Sequence, residues 1–494
     1  MNKQLRRLGA AIMVLIVLLL ANLTYLQVIK APELRADPNN RRTLLEEYSR
    51  QRGQITAAGG VVLARSIPSG DALRYQRVYP GGAMYNPITG YYSTVYGATG
   101  IEKSQNSILS GEDDQLFAGQ LSDLFTGRDP RGGNVQLTVV PAVQKAAYEG
   151  LTKAGYVGAV VAIKPSTGEI LALASTPTYD PTALASHDEA TQRKMSDLIR
   201  DSNPSQRINR ATSRLYPPGS TFKLVVAGAA LQKGYTEQSP VTGAATITLP
   251  GTGGATLSNF GGETCGDGGG QNVPLIQALA HSCNTAFAEL GMKLGADPIK
   301  AQAEALGIDP AGFNVGIDVV GSRTGDMADA AAVAQSSIGQ RDVAFTTMQN
   351  AVVAATIANH GTRMEPFLVA RTTRPDLSVI STTAPKVARM DAIPPLVADD
   401  LKTMMVASEQ DTTGAGSIEG LTIASKTGTA EYGENPKANA PHCWYVAFAP
   451  AENPQVAVAV LVENGGNGDL NATGGKVASP IGRAVIAAAL SGGS

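Results

Sequence analysis

Along this chain, apolar and polar positions follow three different patterns. From Leu8 to about Leu26 almost every position is apolar. At 1.5 Å per residue, about 19 helical residues reach roughly 28 Å, the depth of a bilayer core. From residue 30 to about 140 no period persists. The stretch from Tyr79 to Gly97, rich in Gly, Tyr and Pro, reads as loops and short strands. From residue 141 the pattern becomes regular. Pro141 to Leu151 has helical spacing, with Pro141 suited to a first turn. Ala159–Ile163 and Ile170–Leu173 are short apolar runs flanking the turn Pro165-Ser166-Thr167-Gly168, which predicts a hairpin.

A long helical middle follows. Leu421–Ser425 and Thr429–Glu431 then predict a strand rich in small residues. Trp444–Phe448 and Val456–Val462 predict two more strands, and Ile481–Leu490 a closing helix. A helix-strand-strand start and a strand-strand-helix end predict one antiparallel sheet that brings the two ends together, with helices inserted between. The fold class expected is therefore α+β.

Lys3, Arg6 and Arg7 precede the apolar run. This basic flank predicts that residues 1–7 stay cytoplasmic and that the chain after residue 30 lies outside the cell membrane, on a single-pass anchor. A cleaved signal peptide is the competing possibility. The run is longer than a signal core, no small-x-small site follows it, and no lipobox cysteine is present. The divisions expected are a tail at 1–7, an anchor at 8–29, a domain at 30–140 and a second at 141–494.

A chain of 494 residues with 43% hydrophobic and 17% charged content suits a folded protein with a large core. Its net charge of −2 gives no electrostatic case for nucleic acid. His187, His281, His360 and His442 are scattered without metal-ligand spacing, and no phosphate-binding Gly-rich loop occurs. Neither a metal nor another cofactor is expected.

Three motifs carry the candidate chemistry: Ser220-Thr221-Phe222-Lys223, Ser282-Cys283-Asn284 and Lys426-Thr427-Gly428. Each alone is weak. A Ser and a Lys three apart are more often a helix cap and a solvated base, and a second Ser-x-Asn occurs at Ser104-Gln105-Asn106. Order and context add the weight. Pro217-Pro218-Gly219 breaks the chain before Ser220, and the apolar run Leu224–Leu231 after it predicts a buried helix with Ser220 at its start. A serine with a lysine one turn later is a nucleophile with a base beside it. The second motif adds a hydroxyl and an amide. The third adds a cation and a strand edge, where Gly428 would let a substrate backbone approach. These residues together point to acyl transfer through a serine ester.

The ordered triplet is the one shared by β-lactamases and penicillin-binding proteins. The chain most resembles the class B penicillin-binding proteins, monofunctional D,D-transpeptidases, and within them an actinobacterial branch. Further stretches similar to that family are Arg52-Gly53-Gln54-Ile55, Gly100-Ile101-Glu102, Val135-Gln136-Leu137-Thr138 and Ser337-Ile338-Gly339-Gln340. One departure stands at Thr56-Ala57-Ala58-Gly59, where the family often has Asp-Arg-Asn-Gly.

The resemblance implies a non-catalytic pedestal at 30–140, akin to a dimerisation domain, and a penicillin-binding transpeptidase domain at 141–494. That domain would be an antiparallel sheet flanked by helices with an all-helical subdomain. It implies Ser220 as the acylated nucleophile, Lys223 as base and Ser282 as proton carrier. Asn284 would orient the peptide, and Lys426, Thr427 and Thr429 would hold the substrate carboxylate. The backbone N–H groups of Ser220 and Thr429 would hold the oxyanion. The partners implied are D-Ala-D-Ala stem peptides, an acceptor amine, β-lactams and a lipid-linked glycan polymerase, in division and cell shape. A D,D-carboxypeptidase or β-lactamase-like hydrolase, and an inactive scaffold, are the alternatives.

An extracytoplasmic chain can form disulfides. Cys265 lies in the Gly-rich loop Gly261–Gly270 and Cys283 within the second motif, so a Cys265–Cys283 bridge is expected. Cys443, in an apolar strand, is expected to be a buried thiol.

Overall fold

The regular pattern after residue 141 builds a five-stranded antiparallel sheet. Its strands are β1 (Gly158–Ile163), β2 (Ile170–Thr176), β3 (Ala424–Ala430), β4 (His442–Ala449) and β5 (Val456–Val462), in the order β3-β4-β5-β1-β2. Val460 opposite Val160, and Ala459 opposite Val161, fix the register that joins the late strands to the early hairpin. Period-2 alternation sends side chains to two apolar layers. Val160 and Ala162 pack with Val143 and Ala147 of α1 (Pro141–Thr152) and with Ile481 and Val485 of α6 (Ser479–Ser491). Ala159 and Val161 face the layer of α4 (Thr347–Ala358), including Met348 and Ala351. Strands buried on both faces read as continuous apolar runs, which is why β5 is legible as Val456–Val462. Burying each such valine contributes about 1.5–3 kcal/mol.

The computed structural model describes residues 2–30, 48–116, 131–266, 269–416, 418–433 and 438–491. Parts of the expected 30–140 domain, at 31–47 and 117–130, and two positions of the Gly-rich loop lie outside the described residues.

Two expectations change. The strand carrying Lys426 begins at Ala424 rather than Leu421, because Leu421–Ile423 do not join the ladder to β4. The N-terminal sheet is also not sequential. It runs Val379–Thr382, Val369–Thr373, Asn134–Leu137, Ile55–Thr56, Val62–Pro68, Tyr75–Val78, so two of its six strands come from far along the chain. A boundary at residue 140 misses them, since pairing between distant strands leaves no local signal.

Three of the stretches noted in the sequence meet in and around that sheet. Arg52 donates to Glu102 Oε2 (2.6 Å) and Arg77 to Glu102 Oε1 (2.7 Å), with the Tyr79 hydroxyl at 3.2 Å. Glu102 is fully buried. Burial alone would raise its carboxyl, but the Arg77 and Arg52 charges outweigh it and hold it below the ordinary range.

Among the described residues, one helix is long and apolar enough to cross a membrane. It runs over Lys3–Ile29, with none of its apolar window buried in the protein.

Candidate active site

Ser220 sits on a single 3-10 turn, Gly219–Phe222, that leads into α2 (Lys223–Gln232). The expected helix start is thus a tight turn, with the α-helix proper beginning at Lys223. Nine of the ten residues of α2 are buried, so it is a core helix that carries Lys223 at its N-terminal end. The turn needs two glycines. Gly219 has φ 53° and donates its N–H to Gly339 O (3.0 Å); a Cβ on Gly339 (φ 71°) would lie 2.0 Å from Gly219 O. Behind the turn, Trp444 Nε1 donates to Pro217 O (2.9 Å), and Tyr216 donates its hydroxyl to Glu463 (2.6 Å), which also takes Arg210 Nε (2.7 Å).

Ser282 follows the helix Leu275–Ala280 in left-handed backbone (φ 58°), a conformation that costs a non-glycine residue about 1–2 kcal/mol. Its N–H bonds Leu279 O (3.1 Å) and the Cys283 N–H bonds Ala278 O (2.9 Å). This turned end leads into α3 (Asn284–Leu294) and brings Ser282 and Asn284 to one amine. Lys223 Nζ lies 2.6 Å from Ser282 O, 2.8 Å from Asn284 Oδ1 and 3.3 Å from Ser282 Oγ. The Cys265–Cys283 disulfide ties the Gly-rich loop to this turn. Cys443 is a buried free thiol, raised by burial to about 12.

Lys223 is fully buried. Burial, and then the Lys426 charge, push its ammonium well below the ordinary lysine value. The positive end of α2 acts in the same sense. A neutral amine has two N–H donors and one lone pair. The two short partners are carbonyl oxygens, which only accept, so they take both N–H groups. The lone pair is then left for a hydroxyl proton. Lys426 is also fully buried, donates to Thr427 O (3.0 Å), and is lowered by burial to about 7 against the opposing pull of Asp411.

Strand alternation divides the third motif. Thr427 and Thr429 line the cavity in front of the serine, whereas Gly428 points the other way. A Cβ on Gly428 would meet Pro218 O at 2.9 Å and Thr221 Cγ2 at 3.1 Å, so its smallness lets β3 pack against the turn that carries Ser220.

Ser220, half-buried, stands where two cavities meet. One, of about 450 Å³, is bounded by Ser282, Asn284, Thr427, Thr473 and Asp411. The other, of about 830 Å³, extends past Ser258, Gln340 and Glu431. Ser220, Asn259, Phe260, Asn284 and Thr429 line both. Sequence reasoning passed over Thr473, which caps the turn Gly474–Val477, and Asp411, at the end of α5 (Pro395–Asp411). Asp411 pairs with His281 Nδ1 at 2.5 Å beside the site. The only signals for these were a Thr-Gly-Gly and a helix end. The copy at Ser104-Gln105-Asn106 lies in the N-terminal region, away from Ser220.

The pattern that defines the penicillin binding protein transpeptidase domain matches residues 158–487, two thirds of the chain. This chain belongs to that family. The pattern for the penicillin binding protein A dimerisation domain matches residues 52–135. Among curated relatives, the peptidoglycan D,D-transpeptidase PbpA of Mycolicibacterium smegmatis is 54% identical, and that of Mycobacterium tuberculosis 50%, each over the full length of both chains. The structure of penicillin-binding protein A from M. tuberculosis as a ceftriaxone acyl-enzyme complex superposes with a TM-score of 0.88. It is 50% identical and covers 90% of this chain and 100% of that one. A penicillin G acyl-enzyme complex of the same protein superposes at 0.85 with 49% identity, covering 89% and 100%. The fold and family expected from the three motifs are therefore the ones found.

Proposed function

We propose that this chain is a peptidoglycan D,D-transpeptidase that crosslinks stem peptides through an acyl-enzyme on Ser220. The carrying observation is the Lys223 amine, buried, depressed in pKa and held by two carbonyl oxygens one turn from a half-exposed serine.

Lys223 accepts the Ser220 proton as Oγ attacks the carbonyl carbon of the penultimate D-Ala. The backbone N–H groups of Ser220 and Thr429 hold the oxyanion, an interaction worth about 3–4 kcal/mol per donor. The proton then passes through Ser282 to the leaving D-Ala amine. Thr427, Thr429 and Lys426 hold the terminal carboxylate. Its arrival favours the ammonium form of Lys426, whose charge further depresses Lys223. Asn284 fixes Lys223 with its carbonyl and meets the peptide from the cavity wall. An acceptor amine from a second stem peptide then attacks the ester. The two cavities that share Ser220 suit a reaction with two peptide substrates better than hydrolysis, which needs room for water alone.

In this reading residues 8–29 anchor the chain in the cell membrane with residues 1–7 cytoplasmic. The 30–140 region and its two added strands form the pedestal. The resemblance supports a role in division and cell shape beside a lipid-linked glycan polymerase.

The test is intact mass of the protein after incubation with penicillin, beside a Ser220→Ala variant. One stable adduct on the wild type alone is expected. Rapid return to the free mass with penicillin consumed would make the protein a hydrolase, and no adduct at all would leave a scaffold.

A further inference from the structure

Away from the catalytic cavities, a cavity of about 630 Å³ lies beside α4, which contributes Gln349 and Val352. It also borders residues 363–369, where the chain runs on into the strands it adds to the N-terminal sheet. Its size falls within the roughly 300–1,000 Å³ of small-molecule sites. Phe313, Val352, Phe367 and Val369 give it apolar walls.

The charge in this cavity is out of balance. Arg363 lines it and stands directly opposite Arg389 on a ribbon that pairs Arg363–Met364 with Val387–Arg389. Like charges in that register are destabilising. Among the described residues neither guanidinium is in an ion pair or a hydrogen bond, and Arg363 Nε is buried without a partner. Burial, and then the Arg389 charge, hold the Arg363 guanidinium below its ordinary pKa, against the pull of Glu365. Among the described residues Glu365 is the one carboxylate lining the cavity, and Lys386 Nζ holds it at 2.7 Å. Asp318, behind the wall, takes Asn314 Nδ2 at 2.7 Å. Gln349 is 1% exposed. Its Nε2 donates to Leu306 O (3.0 Å), which fixes the amide, and among the described residues nothing donates to its Oε1. The cavity thus combines a cation without an anion, a carbonyl without a donor, and apolar walls.

We propose that this cavity binds an N-acylated amino acid with an apolar side chain. Its carboxylate pairs with Arg363 and offsets the opposition of Arg389. Its amide N–H donates to Gln349 Oε1, because a buried carbonyl needs a partner. Its side chain lies against Phe313 and Phe367. Arg363 destabilises the empty protein, and the occupant accounts for its place there. This assignment is independent of the transpeptidase reading.

The test uses the full chain in detergent, pre-treated with penicillin so that the catalytic cavity is filled. The melting temperature is followed as N-acetylphenylalanine is raised, with N-acetylphenylalaninamide as its neutral counterpart. A saturable rise with the acid is expected. Binding should be about tenfold weaker for the neutral amide, and for the acid on Arg363→Gln. Without ligand, Arg363→Gln should melt no lower than the wild type, since a like-charge pair and a buried unpaired N–H are gone. No saturable rise with the acid, an equal response to acid and amide, or an unaltered response of Arg363→Gln would overturn the site. A variant that melts well below the wild type would make Arg363 a structural strut and overturn it too. Failure of penicillin to acylate the wild type would instead count against the transpeptidase reading, and the comparison with Arg363→Gln would still be readable.

Discussion

The N-terminal region and the catalytic centre both bury charge completely, and they do so in opposite ways. Glu102 is surrounded by Arg52 and Arg77, so the carboxylate stays ionised and its pKa is held down. Among the described residues no carboxylate is paired with the amine of Lys223 or of Lys426, and burial holds both below the ordinary lysine value. A buried charge ringed by opposite charge fixes a fold, because breaking the set strands the remainder. A buried amine with no carboxylate paired to it relaxes by losing a proton, which leaves a base. The difference is one of partner, since all three side chains are equally out of water.

The sharpest test of that difference is Lys223→Ala. Acylation by penicillin, followed by intact mass over time, is expected to slow by about 10²–10⁴-fold. The melting temperature should fall only modestly, since loss of an amine costly to bury offsets the cavity and the two carbonyl oxygens left unpaired. A large loss of stability with acylation intact would reverse the assignment of the two regions. Glu102→Ala is the mirror experiment. It leaves Arg52 and Arg77 buried and uncompensated, with an expected loss of about 3–5 kcal/mol in denaturant unfolding. The fraction still folded should acylate normally.

The two regions should also differ in the pH window over which stability changes, although in both it rises with pH. Glu102, depressed below its unfolded value, contributes stability above the ordinary carboxyl pKa that is lost as pH falls through the lower folded value. Lys426, depressed to about 7 from 10.5, acts in the same sense at higher pH: its burial costs stability below about 7, and that cost is relieved as pH rises toward 10.5. Between those values the unfolded state binds more protons. Stability therefore rises with pH by up to about 1.4 kcal/mol per unit from this group, and Lys426→Met should lose that slope. Equal slopes for the wild type and Lys426→Met between pH 7 and 9 would refute the burial effect. The ascending limb of the acylation rate should likewise fall below the ordinary lysine pKa, set by Lys223.

Smaller effects sharpen the catalytic side. Opening the Cys265–Cys283 bridge, as Cys265→Ser in a Cys283→Ser background, is expected to cost about 3 kcal/mol in the chain-entropy model. Trp444→Phe removes the hydrogen bond to Pro217 O and should cost about 1 kcal/mol, with a modest fall in acylation rate. No change in either quantity would mean that the Ser220 turn is held by its glycines alone.

Much of the catalytic centre was legible because its parts are local motifs. A proline-glycine break before an apolar helix places Ser220 and Lys223 one turn apart on any backbone. The runs of Val456–Val462 and Ile481–Leu490 needed only their period to be read. What escaped was non-local. The strands at Val369–Thr373 and Val379–Thr382 complete a sheet begun some 300 residues earlier, and nothing in their own composition points there. Asp411 and Thr473 reach the cavity only because α5 ends, and the turn at Gly474 packs, beside β3. The packing of Gly428 against the Ser220 turn was not legible for the same reason: what a missing Cβ makes room for depends on what lies across from it.

Period, spacing and residue type alone set the membrane-length helix, the antiparallel sheet, the order of the three motifs and hence the class of chemistry. Each depends on period, spacing or residue type, and these survive without neighbours. Folding alone brings two buried lysines to one site, turns the Ser282 carbonyl onto one of them, and sets a buried glutamate between two arginines. Proton affinity depends on distance, burial and the sign of the nearest charge, and the chain acquires those only when it folds.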